Sequence, residues 1–171
     1  MKTLVKLAVP LVVIAVAALI RWRRKLSWRD DVGLRPAGAG VTAAWVAGYA
    51  LWMLGTNAIM GWRGSWDFAP WRSAPLFVDA GRVLAVSILG PIAEELLFRG
   101  VLFGILVRRF PVVPVIVVLA IVWSALHVSY DWSVIALIFV DGLMLGFARD
   151  RTRSVIPPML MHVVWNLYAI W

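Results

Sequence analysis

The segment VLAVSILGPIAEELLFRGVLFGILV, residues 83–107, decides the fold of this chain. It is apolar and long enough to cross a bilayer as a helix, yet Glu94, Glu95 and Arg99 lie near its middle. A charged side chain at the bilayer centre costs about 3 kcal/mol on insertion scales, so such residues are retained for pairing or for function. The segment therefore predicts a membrane helix that carries a polar site.

The rest of the chain is apolar as well. Of its 171 residues, 63% are hydrophobic, and the mean hydropathy is +0.87, whereas about half of the residues are apolar in an ordinary soluble domain. Five further apolar runs are residues 4–20, 37–60, 112–127, 134–148 and 157–171. Only helices or closed barrels satisfy the backbone in lipid, and these runs lack the alternation of barrel strands. We expect an all-α, polytopic transmembrane bundle of about six helices.

The chain divides into two parts within one integral domain. Residues 1–75 hold the N-terminal spans and carry no motif. They end in Gly61–Pro75, which is rich in Gly, Pro and Trp and is expected to be an irregular segment at the membrane surface. Residues 76–171 form the expected catalytic core.

The net charge of +8 is spread over short basic clusters between the apolar runs, at residues 21–25, 108–109 and 149–153. This is the pattern of positive-inside loops and not of a nucleic-acid surface, so the lipid bilayer is the expected partner. The clusters are expected on the cytoplasmic side, with both termini outside. A short chain rich in Arg and Trp, with no eukaryotic targeting signal, is expected as a multi-pass protein of a bacterial inner membrane. Cysteine is absent, which excludes disulfides and thiolate metal sites.

The two glutamates of the apolar segment 83–107 differ in the partners that lie near them in sequence. Glu95 and Arg99 are four residues apart with the acid first, the better order for an ion pair along one helix face. Glu94 points about 100° away from Glu95 and has no basic residue three or four positions away on either side. Its partner must therefore come from another helix.

The two histidines of the chain are candidates. His127 closes the fourth run, and His162 lies in the sixth run four residues before Asn166, on the same helix face. A carboxylate and an imidazole buried among apolar helices can deprotonate a water, while a second imidazole and an amide can bind the oxyanion of an attacked carbonyl. Such a set suits amide hydrolysis.

Two further interpretations are zinc binding by the two histidines and a glutamate, and a place for Asp141 in the site. Two histidines and a glutamate could ligate zinc, but the His-Glu-x-x-His spacing is missing and Arg99 would disfavour a cation, so no metal and no cofactor are expected. Asp141 precedes Gly142 and Gly146, whose spacing allows close helix contact. We expect Asp141 to make an interhelical hydrogen bond outside the site.

With these residues the chain resembles the CAAX protease and bacteriocin-processing family, also called the ABI family, of glutamic intramembrane endopeptidases. The three motifs of that family occur here as Glu94-Glu95-x-x-x-Arg99, Trp123-x-x-x-His127 and His162-x-x-x-Asn166. Trp123 stands where Phe is commoner in the family. The resemblance covers about Ala80 to Trp171, and three motifs in the right order on separate runs make it specific.

The resemblance implies a role for each residue. Glu94 would be the base that activates water, with His127 assisting, and His162 and Asn166 would form the oxyanion site. The remaining pair of the first motif, Glu95 and Arg99, would orient this group and support the helix.

The expected function is therefore hydrolysis of a peptide bond in a membrane-associated protein or peptide. Prenylated CAAX peptides, leader peptides, bacteriocins and C-terminal sorting tails are all open as substrates, as are the side of entry and the oligomeric state. The alternatives are a non-catalytic membrane scaffold or bacteriocin-immunity protein, and a zinc-dependent membrane protease.

Overall fold

The computed structural model describes residues 2–61 and 75–170. These residues form six helices: α1 (Lys2–Arg23), α2 (Ala39–Met60), α3 (Leu76–Leu106), α4 (Val112–Ala125), α5 (Trp132–Thr152) and α6 (Ile156–Ile170). The prediction of an all-α bundle of about six helices is confirmed. The predicted interfacial segment Gly61–Pro75 lies outside the described residues, apart from its two ends.

Three helices, α1, α3 and α5, are long and apolar enough to cross a membrane, and α4 is a shorter apolar helix. Large apolar side chains along α1 point outward, among them Leu4, Val9 and Val12, each more than half exposed. Exposed apolar surface of this kind suits contact with lipid and not with water. That α2, α4 and α6 also cross stays a prediction.

Helix α5 is longer than the apolar run that predicts it, because it continues through the basic residues at its end. The prediction that Arg149 belongs to a surface loop is wrong: it lies in the last turns of α5 and is 4% exposed. Arg151 and Arg153, which follow it, are exposed as expected.

Helices α4 and α5 pack against each other along their length. A Cβ on Gly142 would lie 3.0 Å from the Cβ of Ala120, and a Cβ on Gly146 would lie 2.6 Å from Cγ2 of Ile116. The predicted close contact at the two glycines is confirmed. Helix α2 packs on α6, and α1 packs on the middle of α3.

The link after α1 folds back over the ends of α3 and α5. Asp31 pairs with Arg108, which follows α3, at 2.6 Å, and the main-chain oxygen of Asp31 accepts from Arg149 at 2.9 Å. Partial burial raises the pKa of Asp31, but hydrogen bonds from Arg108 and the Ser27 amide outweigh it, so the pKa lies below its usual 3.8. The ends of α1, α3 and α5 therefore meet at one face, where the three basic clusters were predicted to lie together.

Helix α3 contains two stretches of π-helix, at Leu84–Leu89 and Leu96–Leu102. After the first, the Gly90 amide donates to Ala85 O, five residues back, and bypasses Val86 O. After the second, the Phe103 amide donates to Phe98 O and Gly100 O and bypasses Arg99 O. Each stretch thus leaves one main-chain carbonyl for a side chain to use, and π-stretches of this kind are frequent at functional sites.

The contact between the first link and α3 predicts which glycines of the bundle accept a side chain. A Cβ at Gly104 would overlap the main-chain oxygen of Asp31, whereas a Cβ at Gly55 of α2 would meet nothing within 4 Å. Gly104→Ala should lower the free energy of unfolding by about 1–3 kcal/mol, as overpacking usually does. Gly55→Ala, the matched control, should leave the thermal unfolding midpoint in detergent unchanged or raise it. Equal midpoints for the two variants would contradict this packing.

Candidate active site

The buried carboxylate of Glu95 joins two helices. Its Oε1 accepts from Arg99 Nη1 at 2.9 Å and lies 3.1 Å from His162 Nδ1 of α6. Glu95 is 0% exposed and Arg99 1% exposed. The predicted Glu95–Arg99 pair is confirmed, and the contact with His162 was not foreseen.

The second glutamate, Glu94, has a different partner. Its Oε2 accepts a hydrogen bond of 2.7 Å from the indole N–H of Trp123 on α4. The partner that the sequence required from another helix is thus an indole, a neutral donor. An indole N–H can only donate, so it gives this carboxylate oxygen a hydrogen bond without adding an opposite charge.

The Trp123 ring also contacts three of the other site residues. The guanidinium carbon of Arg99 lies 4.5 Å from the ring centroid, a cation–π distance. The rings of His127 and His162 each approach edge to face, with centroids 5.3 Å away. Trp123 is 4% exposed, so its ring is packed in the interior in contact with these polar side chains.

His127 lies in the turn that follows α4, two residues after the last helical residue. Its Nδ1 is 3.0 Å from the main-chain oxygen of Trp123. Because a carbonyl can only accept, Nδ1 must carry the proton, and Nε2 is the nitrogen left for other contacts. The ring of Tyr130 stacks on His127 with 6.0 Å between centroids, which helps to fix its orientation.

Asn166 is held by the first π-stretch of α3. Its Nδ2 donates at 2.9 Å to Val86 O, the carbonyl that the Gly90 amide bypasses. An amide nitrogen has two N–H groups, so one remains for another acceptor. The second bypassed carbonyl, Arg99 O, accepts from Arg149 Nε at 2.9 Å.

A cavity of about 330 Å³, within the size range of small ligand sites, lies between α1, α3, α4, α5 and α6. The four predicted catalytic residues, Glu94, His127, His162 and Asn166, all line it. The supporting pair Glu95 and Arg99 lies buried behind them.

Asp141 of α5 also lines this cavity. It makes the interhelical hydrogen bond that the sequence predicts, since Trp52 Nε1 of α2 donates to its Oδ1 at 2.8 Å. Its place in the cavity wall was missed, because the sequence analysis considered only its packing role.

Other contributions were missed too. Lys6 and Pro10 of α1 line the cavity, although α1 has no motif and only its hydropathy was informative. The role of Trp123 had a signal in the sequence, since Trp, unlike the commoner Phe, has a ring N–H to donate. Among the described residues, no three His, Asp or Glu side chains have the geometry to hold a metal ion.

Comparison with known proteins identifies the family of the chain. Residues 76–168 match the family described as Type II CAAX prenyl endopeptidase Rce1-like. The chain belongs to this family. The match covers more than half of the chain and includes all three motifs, which confirms the resemblance that the motifs carry.

Three curated relatives are each similar over about half of the chain. The "Putative membrane peptidase YdiL" of Bacillus subtilis is 25% identical over 52% of this chain and 35% of its own length. The membrane-embedded CAAX protease MroQ of Staphylococcus aureus is 28% identical over 58% of this chain and 40% of its own. An uncharacterised 24.3 kDa protein of Escherichia coli is 29% identical over 47% and 39%. The aligned region thus spans well under half of each relative, and no solved structure matches the chain.

The unequal surroundings of the two glutamates predict unequal effects on stability. Glu95→Gln leaves the Arg99 guanidinium buried without its counter-charge, and breaking such a pair costs about 3–5 kcal/mol. Glu94→Gln keeps an oxygen that can accept from Trp123 and should cost less than about 1 kcal/mol. Thermal unfolding in detergent, followed by tryptophan fluorescence, measures both. Equal destabilisation by the two variants would contradict the division between Glu94 and Glu95.

Proposed function

We propose that this chain is a membrane-embedded glutamic endopeptidase that hydrolyses a peptide bond of a membrane-associated protein or peptide. The observation that carries this proposal is the position of Glu94: its carboxylate lines the cavity, while the neighbouring Glu95 is buried against Arg99 and His162. The family, and the peptidase names of two bacterial relatives, support the same reaction class.

The base in this proposal is the Glu94 carboxylate. It removes a proton from a water in the cavity, and the resulting hydroxide attacks the carbonyl carbon of the peptide bond. His127 assists through Nε2, which has a lone pair to accept from the same water when Nδ1–H is engaged with the Trp123 carbonyl. Trp123 keeps the carboxylate oriented through its indole hydrogen bond.

The oxyanion is stabilised by His162 and Asn166 in this proposal. Since His162 Nδ1 faces the Glu95 carboxylate, Nε2 can donate only if the ring is protonated. The proposed donor is therefore the imidazolium of His162, whose other ring N–H faces Glu95 Oε1 at 3.1 Å. The second N–H of Asn166 adds a neutral donor, because the first is engaged with Val86 O.

The reaction closes when the tetrahedral intermediate collapses. The C–N bond breaks as the departing nitrogen takes the proton from Glu94, which gives an amine and a carboxylic acid. The acid passes its proton to the amine, and the carboxylate and the ammonium product leave. No covalent enzyme intermediate is needed. The base is thereby regenerated for the next water.

The wider setting belongs to the same proposal. In this proposal the chain is a multi-pass protein of a bacterial inner membrane, and the cavity receives its peptide from within that membrane. Prenylated CAAX peptides, leader peptides, bacteriocins and sorting tails all satisfy this chemistry.

Replacing the base tests the proposal. Glu94→Gln cannot take the proton of water, and the loss of general base catalysis should slow cleavage about 10²–10⁴-fold. The measurement is mass-spectrometric detection of products after wild-type protein and variant are incubated in detergent with a library of membrane-segment peptides.

The matched control is Asp79→Asn, the same acid-to-amide change on α3 at a residue paired with Arg82 and outside the cavity. This control should cleave at the wild-type rate. Undiminished cleavage by Glu94→Gln would refute the glutamic mechanism. Loss of wild-type activity with a chelator, restored specifically by zinc, would favour the zinc-dependent alternative.

A further inference from the structure

A second cavity, of about 340 Å³, lies at the opposite end of the bundle from the candidate active site. It is bounded by the first link, the end of α3 and the end of α5. Four arginines line it, Arg35, Arg108, Arg149 and Arg153, against three aspartates. Arg108 and Asp31 neutralise each other at 2.6 Å, which leaves the other three arginines facing the carboxylates of Asp30 and Asp150, an excess of one positive charge.

Arg149 is the unusual member of this group. It is 4% exposed. Its side chain donates hydrogen bonds to two main-chain oxygens, from Nε to Arg99 O and from Nη2 to Asp31 O, both at 2.9 Å. Within the described ranges, no carboxylate lies within ion-pair distance of it. Carbonyls orient a guanidinium but do not cancel its charge, and an unmatched buried charge costs several kcal/mol.

The fold makes room for this side chain. Gly33 has a φ of +76°, and a Cβ there would lie 2.6 Å from the guanidinium carbon of Arg149. The first link thus turns over Arg149 at a residue that has no side chain. Arg149 is held in a fixed direction at the cavity wall, and a guanidinium fixed in this way is prepared to contact the oxygens of an anion such as a phosphate.

The other arginines of the cavity are less buried. Arg35 is tied to the end of α5, since its Nε donates to Arg153 O at 3.1 Å. Arg153 is exposed and has a φ of 52°, the left-handed conformation that ends α5. Both side chains can thus contact a ligand in the cavity from the solvent side, while Arg149 contacts it from the buried wall.

The location and the walls of the cavity indicate the ligand. The ends of α3 and α5, two helices long enough to cross a membrane, meet at this cavity, and the end of a membrane-crossing helix is where lipid headgroups are expected. Phe103 and Val107 give the cavity an apolar side next to its charged one. We propose that this cavity binds the phosphate group of an anionic phospholipid headgroup.

The proposal is tested on the full chain in detergent, with no reference to peptidase activity. Native mass spectrometry measures binding of phosphatidylglycerol and, for comparison, of zwitterionic phosphatidylcholine. A parallel arm measures the thermal unfolding shift with inorganic phosphate against chloride at equal ionic strength. The variant is Arg35→Gln combined with Arg153→Asn. Arg153→Asn alone is the second variant, because Asn tolerates the left-handed conformation and Arg35 then keeps its hydrogen bond.

The matched control is Arg109→Gln, which removes an exposed charge from the same face outside the cavity. Phosphatidylglycerol should bind wild type and the control alike, and about tenfold more weakly for each cavity arginine removed. A shift with inorganic phosphate alone, lost in the variants, supports the phosphate site and identifies a soluble source. Equal weakening in the control, or no response to lipid and phosphate, overturns the proposal.

Discussion

Glu95 accepts hydrogen bonds at one oxygen from two directions, and this contact joins α3 to α6 in the interior of the bundle. A buried carboxylate needs opposite charge and hydrogen-bond donors; the Arg99 guanidinium supplies the charge, and both Arg99 and His162 reach Oε1. Because those two side chains are engaged with Glu95, Glu94 is left to a neutral indole at the cavity wall. The pairing of one glutamate thus determines the environment of the other, although the two are adjacent in sequence.

The two π-stretches of α3 explain how side chains from other helices are held. In a regular α-helix each carbonyl in the middle already accepts from the amide four residues on, so a donor from another helix has to share it. Each widened turn leaves one carbonyl without that amide: Val86 O accepts from Asn166, and Arg99 O accepts from Arg149. The first contact orients a residue of the candidate active site. The second fixes a charge at the opposite end, so one helix serves both cavities.

How much of this could be predicted follows from the range of the interactions. Hydropathy indicates the helices, and the spacing of Glu95 and Arg99 indicates their pair, because both signals are local. The burial of Arg149 was not predicted, because an arginine at the end of an apolar run is assigned to a loop when its tertiary neighbours are unknown. The contact from Glu95 to His162 and the bypassed carbonyls depend on how helices distant in sequence dock, which no spacing encodes.

The cavity contains two carboxylates held in the same way, Glu94 by the indole of Trp123 and Asp141 by the indole of Trp52. If Glu94 is the base, the cleavage rates of two matched indole variants test this most directly. Trp123→Phe removes the hydrogen bond that orients Glu94 and should lower the rate of cleavage. Trp52→Phe removes the hydrogen bond that orients Asp141 and should leave the rate near that of wild type. A lower rate in Trp52→Phe with an unchanged rate in Trp123→Phe would contradict this role of Glu94 and assign the base to Asp141.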